Sequence, residues 1–180
     1  PAFLPPPEDP LMPYLFEFTY HNPTQIVFGP NSFAKLGSLV PADAKVLLLY
    51  GGGSIKGNGV YDRVIAALAG RAVVEFAGVE PNPTLETLSA AVDLAKRQKT
   101  DFILGVGGGS VSDGAKYIAC AALYDGDGWD IVSGRHAPRE ALPVGIVLTL
   151  PATGSESNPA AVVTRKATHE KRVFYVPPAR

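Results

Sequence analysis

Two glycine-rich turns are the part of this sequence whose residue types are best suited to chemistry. Gly51–Ser54 and Gly107–Ser110 both read Gly-Gly-Gly-Ser, and each directly follows a short apolar run. Glycine has no Cβ, so such a turn can adopt positive φ and let a ligand approach the backbone closely. A helix that starts in the turn points its unpaired N–H groups and the positive end of its dipole at that ligand. The turns therefore predict a site for a phosphate or a dinucleotide.

Two predicted strands position these turns. Lys45–Tyr50 and Phe102–Val106 are apolar runs that end abruptly in glycine, as central strands of a parallel sheet do. In open α/β sheets, ligands bind at the carboxyl ends of the strands. We therefore expect both turns to lie at the binding edge of one sheet.

Predicted strands and helices alternate along the rest of the chain. The other predicted strands are Thr24–Phe28, Arg71–Phe76 and Val144–Leu148, and the predicted helices are Asn31–Leu39, Val60–Leu68, a long helix from its cap Thr84 to about Lys99, and one from Ser110 to Leu123. This alternation predicts an α/β fold, a Rossmann-like parallel sheet with helices on both faces. Tyr124–Leu142 is interpreted as a polar loop. Val173–Val176 is interpreted as a truncated sheet edge, which would expose an unpaired strand or need a partner chain to cover it.

The second turn also has a simpler interpretation. Ser110 could be the N-cap of the helix, with Asp113 reaching back to it in a capping box. A single glycine motif has many false positives. Two such turns in one α/β chain favour a nucleotide site.

Composition excludes several classes of function. The chain has 180 residues, 46% of them hydrophobic, and a formal net charge of −1, which suits one compact domain. Without a basic stripe we expect no nucleic-acid partner, and no apolar run is long enough to cross a membrane. Cys120 is the only cysteine, so we expect a buried thiol, no disulfide framework and a cytoplasmic location.

The amino-terminal residues differ from the rest in composition. Pro1–Pro13 contains six prolines and the only methionine, Met12. We interpret residues 1–17 as an expression remnant or flexible extension, with Met12 as the native start, and residues 18–180 as a dinucleotide-binding domain.

Four motifs occur in an order that resembles a known family. They are Tyr50–Ser54 (YGGGS), Glu80–Pro83 (EPNP), Gly105–Asp113 (GVGGGSVSD) and Pro151–Asn158 (PATGSESN). Together they resemble the amino-terminal half of iron-containing (group III) alcohol dehydrogenases, and most closely the branch of NADPH-dependent aldehyde reductases and butanol dehydrogenases. The resemblance extends from about Phe18 to Arg180 and implies the amino-terminal domain of the dehydroquinate synthase-like superfamily.

This resemblance implies where a dinucleotide binds. The second turn would hold the pyrophosphate, Asn82 would lie beside the riboses, and Asp113 would lie near the nicotinamide. The full expected set of cofactor-binding residues is Gly52, Gly53, Ser54, Asn82, Gly108, Gly109, Ser110, Asp113, Thr149, Thr153, Ser155 and Lys171. Lys171 matches a family lysine that binds ribose hydroxyls, although it could also be a solvated cation, and Asn82 could be only a turn former.

The first turn bears on the choice of cofactor. NAD-specific sheets usually place an acid where a strand meets the adenine ribose, because a carboxylate binds both hydroxyls and repels a 2′-phosphate. Here the strand ends in Tyr50 and is followed by glycines. We therefore predict NADP(H), with Ser54 and backbone amides at the 2′-phosphate. Lys56 is either a charge partner for that phosphate or a solvated surface lysine.

In the resembled family, an Asp and three His ligands in a carboxyl-terminal helical domain bind iron or zinc. His21, His136 and His169 match none of these positions and lack the spacing of a ligand pair. The resemblance thus implies the cofactor-binding domain of a metal-dependent alcohol dehydrogenase or aldehyde reductase, without catalytic or metal-binding residues of its own and inactive alone. The parent would be a homodimer acting on a small aldehyde or alcohol.

Two alternatives stay open. The superfamily also contains dehydroquinate synthase-like and glycerol-phosphate dehydrogenase branches, which begin with paired glycine turns but fit the Pro151–Asn158 motif less well. A different class is a stand-alone, non-enzymatic nucleotide-binding module.

Overall fold

The structure is a computed structural model that describes residues 19–179. Its strands are β1 (Lys45–Tyr50), β2 (Ala72–Phe76), β3 (Phe102–Gly108), β4 (Val144–Leu150), β5 (Ala160–Arg165) and β6 (Glu170–Tyr175). Its α-helices are α1 (Ser32–Leu39), α2 (Ser54–Gly57), α3 (Val60–Ala67), α4 (Leu85–Gln98), α5 (Gly109–Ala121) and α6 (Gly128–Ser133). Residues 1–17, interpreted above as an extension, lie outside the described residues.

The first four strands form a parallel sheet with helices on both faces. The strand order is β2-β1-β3-β4, and β1 and β3 are neighbours in the register Tyr50↔Val106. Alternate residues of β1 point to opposite faces. Leu47 and Leu49 belong to the core that contains residues of α4, α5 and α6, whereas Val46 and Leu48 belong to the core that contains residues of α1 and α3. This architecture confirms the predicted fold class.

Helix α4 follows the sequence signals for its ends. Thr84 Oγ1 accepts a hydrogen bond from the Thr87 N–H at 3.3 Å, and Lys99 ends the helix in the left-handed region with φ 52°. Its buried residues belong to the apolar core that also contains residues of β1 and α5, and they are Leu85, Leu88, Ala91, Val92 and Ala95. The predicted cap and helix are confirmed.

The strand predicted at Thr24–Phe28 is wrong. The segment has no regular secondary structure, and Ile26 and Phe28 are 70% and 99% exposed. Its apolar residues suit a strand, but no strand among residues 19–179 pairs with it. A single extended segment without a hydrogen-bonded neighbour does not form a sheet.

The polar loop predicted at Tyr124–Leu142 contains helix α6. Asp127 caps this helix by accepting a hydrogen bond from the Trp129 N–H at 2.9 Å, and the Trp129 side chain is only 3% exposed. Six residues are too few for a helical period to stand out in the sequence.

The prediction of an unpaired edge at Val173–Val176 is also wrong. Most of this segment belongs to β6, which pairs antiparallel with β5 in the register Ala161↔Phe174. Phe174 is 4% exposed and its ring meets Tyr117 of α5 edge to face, with 6.2 Å between ring centroids. The β5–β6 hairpin therefore packs on α5, apart from the parallel sheet.

Within the described residues, no helix is long and apolar enough to cross a membrane. Cys120 is buried at 1% exposure, as predicted, and burial raises the pKa of its thiol to about 12.

Candidate functional site

The second glycine turn lies where β3 becomes α5. Strand β3 ends at Gly108, and α5 begins at Gly109 without a side-chain cap at its N-terminus. A Cβ on Gly107 would lie 2.5 Å from Val111 Cγ2, and one on Gly109 would lie 2.7 Å from Thr153 Oγ1. The glycines therefore permit close packing of the strand, the helix and the segment around Thr153. They leave an uncapped start of a 13-residue helix at the carboxyl end of the sheet.

The capping box proposed as the simpler interpretation is wrong. Gly108, not Ser110, is the N-cap, and Ser110 lies inside the first turn of α5. Both carboxylate oxygens of Asp113 accept hydrogen bonds from residues far along the chain. Those partners were invisible in the sequence because they lie more than 40 residues away.

Ser110, Asn82 and Lys171 are joined by hydrogen bonds. The Asn82 N–H donates to Ser110 Oγ at 3.3 Å, and Lys171 Nζ donates to Asn82 Oδ1 at 2.5 Å. Asn82 has φ 56°, so the backbone of the Glu80–Pro83 turn is left-handed at this residue. Three residues that the sequence predicted for the cofactor thus lie together, beside the start of α5.

Asp113 and Ser155 form a second pair. Ser155 Oγ donates to Asp113 Oδ1 at 2.5 Å, and the Val162 N–H donates to Oδ2 at 3.1 Å. Burial raises the pKa of Asp113, whereas the Ser155 hydrogen bond and the positive charge of Lys116 lower it. Asp113 thus attaches β5 and the segment before it to α5.

Lys116 is a residue that sequence reasoning missed. It is 2% exposed, and its ammonium donates to the carbonyls of Ser155 at 2.8 Å, Asn158 at 3.0 Å and Ala160. Burial lowers the pKa of Lys116 to about 8, against the opposing effect of Asp113. The available signal was the spacing of three residues from Asp113, which puts both side chains on one face of a helix.

Thr153 and Thr149 have different surroundings. Thr153 Oγ1 accepts from the Ser155 N–H at 3.3 Å and lies against Gly109. Thr149 is exposed on β4, and among residues 19–179 no hydrogen bond connects it to the other predicted residues. The structure brings Thr153 to the second turn but leaves Thr149 outside this hydrogen-bonded group.

The first glycine turn lies at the carboxyl end of β1, beside the second. Gly53 is left-handed with φ 96°, and α2 begins at Ser54. The Gly78 N–H donates to the Gly51 carbonyl at 3.1 Å, which holds the turn against the segment after β2. A Cβ on Gly52 or Gly53 would have no atom within 4 Å, so this backbone faces open space.

Glu75 of β2 is a second residue that sequence reasoning missed. It accepts hydrogen bonds from the Tyr50 hydroxyl at 2.7 Å and the Tyr61 hydroxyl at 2.5 Å. Lys56 Nζ lies 3.7 Å from Glu75 Oε2 and 4.6 Å from the centroid of the Tyr61 ring. The Tyr61 hydrogen bond, more than any other contact, lowers the pKa of Glu75. Although β1 ends in tyrosine as the sequence shows, the neighbouring strand places a carboxylate beside that tyrosine.

The described residues do not form a metal centre. Within residues 19–179, no three His, Cys, Asp or Glu side chains lie close enough to hold an ion together. His136 stacks on the Tyr124 ring, with 4.0 Å between the centroids.

The fold is an α/β domain with a glycine-rich turn at the carboxyl end of β1 and another at that of β3. The family model for iron-containing alcohol dehydrogenases matches residues 23–180, and the chain therefore belongs to this family of oxidoreductases.

Several relatives are similar over most of this chain. The NADPH-dependent aldehyde reductase YqhD of Escherichia coli is 53% identical over 161 residues, which are 88% of this chain and 42% of the relative. The probable NADH-dependent butanol dehydrogenase 1 of Bacillus subtilis is 54% identical over 157 residues, 86% of this chain and 41% of the relative. The crystal structure of NADH-dependent butanol dehydrogenase A from Thermotoga maritima superimposes with a TM-score of 0.86 at 48% identity, covering 90% of this chain and 42% of that one. The chain spans less than half the length of these relatives.

Proposed function

We propose that residues 18–180 are the NADP(H)-binding domain of a metal-dependent alcohol dehydrogenase or aldehyde reductase. The main support for the proposal is the start of α5, which has no side-chain cap. Beside it, Asn82 is hydrogen-bonded to both Ser110 and Lys171. Free helix N–H groups bind anions, and a pyrophosphate suits this position.

Each part of the site has a role in this proposal. The backbone of Gly108, Gly109 and Ser110 binds the pyrophosphate, while Asn82 and Lys171 bind ribose hydroxyls. Asp113 holds Ser155 in place, so that the segment from Thr153 lies over the second turn. The bound nicotinamide supplies the hydride chemistry, and these residues bind and orient it.

The first turn supports the choice of NADP(H). The open space at Gly52 and Gly53 leaves room for a phosphate, and Ser54 supplies a hydroxyl at the start of α2. One relative named above is NADPH-dependent and another is described as NADH-dependent. We place the adenosine 2′-phosphate against Ser54 and the amides of the turn.

We also propose that reduction of a small aldehyde needs residues beyond this domain. The described residues contain no group that fits a metal ion. Iron or zinc would be held by the part of the parent enzyme that corresponds to the rest of YqhD, of which this chain covers 42%. The domain alone then binds the cofactor without turnover.

Calorimetric titration of the chain with NADPH tests the binding proposal. We expect saturable binding that weakens about three- to tenfold in Lys171→Met, since a charged hydrogen bond to the ligand is lost. Lys35→Met, at an exposed position on α1, is the matched control and should bind as the parent does. No binding of either NADPH or NADH to the parent chain would contradict the proposal.

A further inference from the structure

A cluster of four side chains flanks the first glycine turn and has no part in the proposal so far. It consists of Tyr50, Lys56, Tyr61 and Glu75, and we call it the Glu75 cluster. Tyr50 immediately precedes the turn, and Lys56 lies two residues after Ser54, in α2. Members of the cluster therefore lie on both sides of the turn in sequence.

Within the cluster, the Glu75 carboxylate contacts the three other side chains. Glu75 accepts hydrogen bonds from the two tyrosine hydroxyls and pairs with Lys56. Lys56 Nζ also lies over both aromatic rings, 5.3 Å from the centroid of Tyr50 and 4.6 Å from that of Tyr61. These contacts hold the ammonium at the turn, where it remains about half exposed and open to a ligand.

We propose that Glu75 sets the preference between NADPH and NADH by pairing with Lys56. This inference rests on the proposed function, which places the adenosine 2′-phosphate at Ser54. The 2′-phosphate distinguishes the two cofactors by its charge, and Lys56 is the cation positioned closest to Ser54 in sequence. With Glu75 ionised, part of the positive potential of Lys56 is cancelled, so the turn discriminates less strongly for the phosphate than it would with Lys56 unpaired.

The test is the ratio of NADH to NADPH dissociation constants in three variants of the chain. Glu75→Gln keeps the side-chain shape and an oxygen that accepts hydrogen bonds from the tyrosines, but it removes the negative charge. It should raise this ratio about two- to fivefold, which corresponds to the free energy that an exposed ion pair contributes. Lys56→Gln should lower the ratio by a similar factor. In the Lys56→Gln background, Glu75→Gln should have little further effect, because Glu75 acts through Lys56.

Asp125→Asn provides the matched control. Asp125 also pairs with a lysine, Lys96 at 3.5 Å, but it lies beyond the C-terminal end of α5, away from both turns. The Asp125→Asn variant should leave the ratio of the NADH and NADPH dissociation constants unchanged. Raising the salt concentration should shrink the Glu75→Gln effect, because exposed charges are screened.

Two outcomes would overturn the inference, and they are distinguishable from failure of the proposed function. Parallel changes in both affinities, with a constant ratio, would show that Glu75 only supports the fold of the turn. A full Glu75→Gln effect in the Lys56→Gln background would show that Glu75 repels the phosphate directly. Absence of binding of both nucleotides to the parent chain would instead contradict the proposed function, and this inference with it.

Discussion

At the residue scale, the least expected feature is the buried ammonium of Lys116. Three backbone carbonyls and the nearby Asp113 stabilise its charge. Buried lysines are rare because desolvation of the charge is costly unless partners compensate. Lys116 thus fixes the segment from Ser155 to Ala160, which follows directly on the Thr153 side chain that lies against the second turn.

Lys116→Met should destabilise the domain. It leaves three carbonyls without their donor and Asp113 without its cation, and we expect a loss of about 3 kcal/mol in the free energy of unfolding. Urea denaturation at pH 7 measures this loss. The exposed Lys35→Met should cost less than about 0.5 kcal/mol. A Lys116→Met protein as stable as the parent would show that the three carbonyls do not depend on it.

The buried thiol of Cys120 should make the free energy of unfolding depend on pH. Burial raises the pKa of its thiol in the folded state to about 12, from the ordinary value of 9.0. The thiol therefore loses its proton more readily in the unfolded chain. Its contribution to stability is complete below about pH 9 and is lost as the pH rises from there toward 12.

Cys120→Ala isolates this contribution. Between pH 8 and pH 10 the variant should lose about 1 kcal/mol less stability than the parent, because each unit of pH above the unfolded pKa costs about 1.4 kcal/mol. Urea denaturation at both pH values gives the difference, and titration of Tyr117 and Lys116 occurs in both proteins. Equal losses would show that the thiol is not protected from ionisation.

At the scale of elements, the junction between β3 and α5 positions the candidate site. Gly107→Ala would place a Cβ 2.5 Å from Val111, whereas Gly108→Ala would place one 3.7 Å from Leu150. Overpacking should cost Gly107→Ala about 1–3 kcal/mol, and Gly108→Ala should cost less than about 1 kcal/mol. Chemical denaturation of the two variants compares them directly. Equal stabilities would contradict close packing at Gly107.

The β5–β6 hairpin depends on one inward-facing ring. Phe174 is buried against Tyr117, while its neighbour Tyr175 is 67% exposed. We expect Phe174→Ala to cost about 3–5 kcal/mol and Tyr175→Ala less than about 1 kcal/mol. Because Lys171 lies on the same strand, NADPH binding should weaken in Phe174→Ala at temperatures where the variant is still folded. Similar losses for both variants would show that the hairpin does not pack through Phe174.

Sequence patterns predicted elements well where local signals decide them. The strands around the two turns and the capped helix α4 follow from apolar runs, glycines and the Thr84 cap. The patterns failed where the outcome depends on a partner. Thr24–Phe28 has strand-forming residues but no partner strand among the described residues, and β6 has a partner in β5 that no local pattern reveals.

The residues of the candidate site also divide into those that a sequence motif reveals and those whose role depends on distant partners. Motif resemblance named Ser110, Asn82 and Lys171, and the structure brings them into contact. Glu75 was missed because its role depends on the register Leu48↔Glu75 between two strands, which places it near Tyr50. Lys116 was missed because a lysine on an amphipathic helix is ordinarily exposed.

At the scale of the whole molecule, the chain covers less than half of its relatives' length, and its described part lacks a group that fits a metal. We therefore expect the chain to bind NADPH without oxidising it when a small aldehyde such as butanal is added, with or without iron or zinc. Loss of absorbance by NADPH measures oxidation. Metal-dependent turnover by this chain would contradict the assignment of the metal site to the rest of the parent.

Amide chemical shifts, measured with and without NADPH, would locate the bound cofactor on this domain. Saturating NADPH should shift the amides of Gly52–Ser54 and Gly108–Ser110, at the carboxyl ends of β1 and β3, far more than those at the C-terminal ends of α4 and α5. Shifts concentrated at those helix ends, with both glycine turns unaffected, would contradict the proposed cofactor site.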